Sequence, residues 1–177
     1  MNEIRIKRVK NEQDRNVLAR LYSDYLKSLS DFSPDVEEAL FRGEGAILAC
    51  KNSAERRDRK DYLVIADEYN VIGFVMLGEY PNSLSRHDIY VQEFFIKEKY
   101  RRQGVGTEVV KKLLEKETKD VSLYILKRNY PAVGFWTEIM TKLGYEDRSA
   151  LGNIGYIEKN GLLHWRYYVK KQVKNGK

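Results

Sequence analysis

Residues 101–107, Arg-Arg-Gln-Gly-Val-Gly-Thr, carry the most legible chemistry of this chain. A run with strand character, 88–97, precedes them, and an amphipathic helical stretch, 105–116, follows. A turn so placed presents backbone N–H groups that no helical carbonyl can satisfy, at the positive end of the helix dipole. Gly104 and Gly106 have no Cβ, so a ligand can approach the backbone closely. Arg101 and Arg102 add positive charge. The turn therefore suits an anion, above all a pyrophosphate. The ordinary alternative is a strand–turn–helix with two convenient glycines. Two other glycine motifs fit poorly. The dinucleotide fingerprint needs a third glycine where Val109 stands, and the Gly-Lys-Ser/Thr of a P-loop is absent.

Upstream, Glu93 shares a strand face with Ile89, Val91 and Phe95. A carboxylate there is costly unless it is paired or used, which makes Glu93 a candidate general base. An ion pair with Arg86 or Arg101 is the structural alternative. Gln92 points to the other face and cannot act as a base. His87 and His164 are far apart in sequence, and no His/Cys set has metal-ligand spacing. Cys50 is the only cysteine, so no internal disulfide can form, which fits a reducing compartment. It reads as a small buried hydrophobe rather than a nucleophile.

The elements that must position these residues follow from periodicity. Residues 3–9 alternate apolar and charged side chains, as a half-buried strand does. Val17, Leu18, Leu21, Tyr22, Tyr25, Leu26 and Leu29 form one apolar stripe, predicting a helix over 11–29 with Asn11 as N-cap. Ser33-Pro34-Asp35 predicts a second helix start, ending near Gly43. Residues 44–61 carry little pattern beyond a charged surface run. A hairpin, 62–66 and 71–77, comes next, followed by the strand 88–97. The helix 105–116 buries Val105, Val109, Val110, Leu113 and Leu114 and exposes the Glu108/Lys112 pair. A compact apolar strand, 121–126, precedes a helix over 131–143 that Gly144 terminates. Strands from 145 and over 162–170 close the chain, with the turn at 158–161. The order β-α-α-β-β-β-α-β-α-β-β specifies an α/β (α+β) mixed sheet with helices on its faces.

Composition narrows the class. A chain of 177 residues, 42% hydrophobic and 33% charged, is expected to form one soluble domain, 1–170. No apolar run approaches the ~20 residues of a membrane span, and the first residues hold no apolar stretch of the secretory kind. The net charge of +6 owes much to the end of the chain, where KKQVKNGK contributes four lysines and no acid. Without them 28 basic residues face 26 acidic ones, so 171–177 reads as a basic, disordered tail and a nucleic-acid-binding face is poorly supported.

Residues Arg101-Arg102-Gln103-Gly104-Val105-Gly106 resemble the cofactor signature Gln/Arg-x-x-Gly-x-Gly/Ala of the GCN5-related N-acetyltransferase (GNAT) family. Downstream, Asn129-Tyr130-Pro131-Ala132-Val133-Gly134-Phe135-Trp136 resembles the family's Asn-x-x-Ala-x-x-Phe-Tyr segment, ahead of Gly144-Tyr145. The Phe-Trp pair is similar to a bacterial subgroup with Asn-x-Pro-Ala-x-x-Phe-Trp. The likeness covers about 3–170. It implies the GNAT fold, in which the strands 88–97 and 121–126 run parallel and splay apart, and a cytoplasmic enzyme that binds acetyl-CoA and needs no metal.

By resemblance, backbone groups of Phe94, Phe95 and Ile96 pair with pantetheine. The N–H groups of Arg102, Gln103, Gly104, Val105, Gly106 and Thr107, with Arg101 beside them, hold the pyrophosphate. Asn129, Phe135 and Trp136 flank the pantetheine arm. The implied reaction is direct attack of a primary amine, on a small molecule or a peptide, upon the thioester. Such an amine has a pKa near ~10.4 and must lose a proton, which Glu93 would accept through water. Trp136 stands where many members carry a proton-donating tyrosine. Tyr130 or Tyr145 could replace it, or water could protonate the thiolate. The loop 28–35, with Glu37, Glu38 and Glu44, is expected to wall the acceptor pocket. A CoA-binding sensor without turnover is the alternative from another class, and a basic protein- or nucleic-acid-binding domain is a third. Monomer and homodimer both remain open.

Overall fold

The computed structural model describes residues 3–32, 60–66, 70–78, 89–126, 128–148 and 163–170. Seven strands form a mixed sheet: β1 (Arg5–Arg8), β2 (Lys60–Ile65), β3 (Val71–Gly78), β4 (Ile89–Ile96), β5 (Val121–Leu126), β6 (Tyr145–Asp147) and β7 (Leu163–Lys170). The helices among the described residues are α1 (Glu12–Ser30), α2 (Val105–Leu114) and α3 (Tyr130–Lys142), with a 3-10 turn at Glu98–Tyr100. The chain forms two compact units, residues 1–78 with 91–109 and residues 79–90 with 110–177. The second helix expected near 34–43, the acidic residues 37, 38 and 44, the hairpin turns at 67–70 and 158–161, and the basic tail lie wholly or largely outside the described residues.

In the first unit the strands lie in the order β1-β2-β3-β4. The pairs β1–β2 and β2–β3 are antiparallel. β3 is buried along most of its length, as an apolar run without alternation predicts for an interior strand. α1 starts where the sequence says. The Asn11 side chain accepts from the Asp14 N–H at 2.8 Å, replacing one bond that the helix cannot make for itself. Its stripe then places Leu18 and Leu21 in a core with Leu63, Phe74, Met76 and Phe95, and packs Val17, Tyr22 and Tyr25 against it. Each fully buried Leu or Phe contributes about 1.5–3 kcal/mol, which is what seats the helix on the sheet.

One irregularity in β3 directs β4. The β2–β3 register pairs Val64 with Gly73 and Ile65 with Val71, so Ile72 is an extra, bulged residue. The Ile72 carbonyl accepts from the Lys97 N–H at 2.8 Å, just past the end of β4. Gly73, beside it, has no side chain for a physical reason: an added Cβ would lie 2.2 Å from the Phe95 carbonyl oxygen and 2.9 Å from Ile96 Cδ1.

In the second unit the order is β5-β7-β6, with antiparallel pairs. β5 is buried at Val121, Ser122, Leu123 and Ile125. Trp136, Ile139 and Met140 are buried on α3. Gly144, at φ +77°, is the left-handed residue that stops α3.

Asp14 also ties α1 to β1, accepting from Lys7 Nζ at 2.7 Å and from the Lys10 N–H at 3.4 Å. Burial by itself would raise its pKa. The bonds from Lys7, Lys10 and Asn11 and the Lys7 charge outweigh that and hold it below the ordinary 3.8. A lowered pKa means stability present above the unfolded value and lost as pH falls through the folded one. Asp14→Asn is therefore expected to cost about 1–2 kcal/mol at pH 7. The difference from the parent should shrink at pH values below the ordinary carboxylate range, as read by urea unfolding across pH.

Candidate functional site

The turn after β4 has the geometry of an anion cradle. Arg101 N–H closes the 3-10 turn onto the Glu98 carbonyl at 2.9 Å. Beyond it Arg102 has φ +59° and Gly104 φ +80°. Alternation of left- and right-handed backbone makes successive N–H groups converge into a nest. For Gly104 such an angle is free of strain, whereas for Arg102 it costs about 1–3 kcal/mol. Within the described residues, the N–H groups from 102 to 107 have no backbone acceptor, and the first bond of α2 is Glu108 N–H to the Gly104 carbonyl at 3.0 Å. Arg101 to Gly104 are exposed, while Val105 and Val109 are buried. The helix start is thus anchored by its apolar side and open on its N–H side. A Cβ at Gly104 would meet nothing within 4 Å, so that glycine is needed for its angle or for a ligand, not for packing.

The two arginines divide. The Arg102 side chain stands in solvent. Arg101 turns back: its Nε donates to the Ile96 carbonyl at 2.7 Å and its guanidinium lies 5.6 Å from the Phe95 ring centroid. Gln103 Nε2 donates to the Lys99 carbonyl. Of the β4 residues expected to face pantetheine, Phe95 is core and directs its carbonyl over Gly73, and the Ile96 carbonyl already holds Arg101. Phe94 is half-buried.

Glu93 is half-buried in the first unit. Its partners include the Tyr25 hydroxyl, which donates at 2.5 Å, and the Tyr22 hydroxyl at 3.5 Å. Arg101, offered above as an ion-pair partner, is engaged with Ile96 instead; Arg86 lies outside the described residues. The tyrosines were visible in the sequence only as part of an apolar stripe. Their hydroxyls were the missed clue, since a buried Tyr O–H needs an acceptor.

The second motif is split between capping and core. Asn129 is the N-cap of α3, its Oδ1 accepting from the Ala132 N–H at 3.2 Å. Its Nδ2 donors are not used in that cap. Phe135 is half-buried, and its ring meets that of Trp136 edge-on at 5.3 Å. Trp136, expected to flank the cofactor, is 5% exposed; its ring belongs to the core of the second unit and backs Phe135.

Tyr145, the other proton-donor candidate, lies inside the second unit. Its hydroxyl is buried and donates to the Lys119 carbonyl at 3.3 Å, and Lys170 Nζ sits 4.3 Å from its ring centroid. Burial, then the charges of Glu117 and Asp120, push its pKa up to about 12. Burial thus makes this phenol a weaker acid than an exposed tyrosine. Tyr130, 76% exposed at the start of α3, remains available. Among the described residues no group of three or more His, Cys, Asp or Glu could hold a metal ion.

The sequence profile described as "Acetyltransferase (GNAT) family" matches residues 18–140. The chain belongs to the GNAT acetyltransferase family. It is thus a transferase of the N-acetyltransferase kind, in a family whose acyl donor is acetyl-CoA. No curated protein matches the sequence. Solved structures share the fold at low identity. An acetyltransferase from Thermus thermophilus is 13% identical, with TM-score 0.61 over 94% of this chain and 96% of that one. A spermidine N-acetyltransferase SpeG chimera from Vibrio cholerae and hSSAT is 16% identical, with TM-score 0.59 over 96% of each. Tetrahymena GCN5 is 15% identical, with TM-score 0.60 over 96% of this chain and 98% of its own.

Gly73 yields a test of how the end of β4 is held. In Gly73→Ala the clash is with a backbone oxygen, which cannot swing aside as a side chain does. The variant should lose about 1–3 kcal/mol of stability in urea unfolding. An Ala variant as stable as the parent would show that β4 yields freely.

Proposed function

We propose that the protein transfers the acetyl group of acetyl-CoA to the primary amine of a small molecule, by direct attack of the amine on the thioester. The observation that carries this is the turn at 102–107, with N–H groups that have no backbone acceptor among the described residues, positive φ at Arg102 and Gly104, and an exposed cationic side chain beside them. In this reading those N–H groups and Arg102 hold the pyrophosphate. Arg101 shapes the end of β4 rather than contacting phosphate. Phe94 and Ile96 offer backbone groups to pantetheine. On the strength of the motif alone, Asn129 and Phe135 serve the same arm.

Glu93 accepts the amine proton, directly or through water, and so supplies the neutral nucleophile that attack requires. Attack forms the C–N bond and a tetrahedral oxyanion. A backbone N–H near the end of β4 is the simplest donor for it. Collapse breaks the C–S bond and releases the CoA thiolate, which water or Tyr130 protonates. The motif 129–136 supports assigning the chain to the subgroup with Phe-Trp. We take 1–170 as one functional domain, working in the cytoplasm. No helix among the described residues is long and apolar enough to cross a membrane.

The reading without turnover, a CoA-binding sensor, draws on one observation: Trp136 and Tyr145 are both buried, which makes Tyr145 a weaker acid. Thiol release decides between the two. The protein is mixed with acetyl-CoA and a panel of spermidine, aminoglycosides, amino acids and lysine peptides, and free CoA is followed with a thiol reagent. Amine-dependent release is expected with at least one class. Tight acetyl-CoA binding with no release from any amine would favour the sensor. The likeness to a spermidine acetyltransferase makes polyamines the first to try.

The pyrophosphate assignment has its own check. Arg102→Glu should weaken acetyl-CoA binding about 10–100-fold, or about 1.4–2.7 kcal/mol. Its unfolding midpoint should stay put, because the side chain is exposed and the backbone angle is unchanged. Unaltered affinity in calorimetry would remove the cradle from 102–107.

A further inference from the structure

The proton acceptor does not stand alone. Glu93 lies on the face of β4 that also bears Val91 and Phe95, both buried. That setting would disfavour a charged carboxylate and leave its orientation unfixed. α1 supplies what the strand lacks. The Tyr25 hydroxyl meets Glu93 Oε2 at 2.5 Å, within the range of a charge-assisted O–H···O bond. The Tyr25 ring is itself fixed on three sides. Tyr22 lies 5.6 Å away edge-on, Phe74 5.6 Å away at 89°, and Phe95 5.8 Å away at 57°. With the ring so held, its hydroxyl is set beside the Glu93 carboxylate. The Tyr22 hydroxyl reaches the other oxygen at the outer limit of bonding, 3.5 Å.

We propose that Tyr25 is a positioning residue for the reaction: its hydroxyl holds the Glu93 carboxylate ionised and oriented for proton acceptance from the incoming amine. The proposal rests on the reading of Glu93 as base. The charged and titratable groups around Glu93 among the described residues can be named. α1 contributes Tyr22 and Tyr25, while its Asp24 and Lys27 are exposed. β3 contributes apolar Phe74 to the cluster. After β4, Arg101 lies over the Phe95 ring.

Tyr25→Phe keeps the ring contacts and removes only the donor. Because a hydrogen bond to the charged form favours it, its loss should move the acid limb of the kcat/KM profile up by about one pH unit. kcat should fall about tenfold at neutral pH while KM for acetyl-CoA stays near the parent's. That is less than the roughly hundredfold or greater loss expected of Glu93→Gln. Tyr22→Phe, with its longer contact, should shift the limb less. The same upward displacement can be read without turnover, from the carboxyl 13C titration of Glu93 in parent and Tyr25→Phe. If Tyr25→Phe does not fold, a ring-fluorinated tyrosine at position 25, similar in size and a stronger donor, should move the limb down.

The outcomes separate cleanly. A Glu93→Gln enzyme with parental rate and limb would end the base reading, and the positioning proposal with it. A slow Glu93→Gln enzyme beside a Tyr25→Phe enzyme whose limb and carboxyl titration are unmoved would leave the base in place and overturn the role of Tyr25. Equal losses in stability and in KM, with no pH shift, would mark Tyr25 as a purely structural tie between helix and strand.

Discussion

Backbone N–H groups that have no carbonyl to bond are the constraint around which the first unit is arranged. A helix must leave its first N–H groups unpaired, and here Arg102 and Gly104 take positive φ so that the preceding ones are unpaired as well. Left in water such groups cost little. Given a diphosphate they become a set of fixed, converging donors whose ordering has been met during folding. That ordering requires the start of α2 to be immobile, and burial of Val105 and Val109 provides it. The strain at Arg102 is part of the same arrangement, since relaxing it would turn its N–H away.

The turn can be no better placed than the strand that leads into it. The end of β4 is located by two features of β3, a bulged Ile72 whose carbonyl takes the Lys97 N–H, and a glycine that makes room for the Phe95 carbonyl. From the other side Arg101 folds back onto the Ile96 carbonyl and the Phe95 ring. A signature arginine therefore commits its Nε–H to the strand end. Arg102 keeps its charged side chain exposed. The same stretch of β4 presents Glu93 to α1, so the donor cradle and the acidic group are set by one strand and share its errors of placement.

Much of this was legible in the residue order. Asn11 with Asp14, Gly144 after an apolar helix, and the stripes of 11–29 and 105–116 each set an element by local chemistry, and the observed helices begin and end within a few residues of those marks. The glycine-arginine turn was legible too, because its function resides in the backbone and so depends on local angles. Side-chain partnerships were not. Tyr25 and Glu93 are 68 positions apart, and Tyr145 and Lys119 are 26 apart. Sequence spacing cannot say that one hydroxyl meets a carboxylate and the other a carbonyl. Nor could it say that Trp136 would be enclosed and Phe135 left at the margin.

The sequence by itself determined the elements, the glycine-arginine turn and the family, because each depends on neighbours along the chain: a cap, a helical period, a pair of glycines before an apolar stripe. Tertiary structure alone decided which acid has hydroxyl donors, which tyrosine is buried and so made a weaker acid, and why residue 73 must lack a side chain. Those depend on atoms brought together by packing. The energy of a carboxylate or a phenol is set by what surrounds it in space, not by what precedes it in the chain.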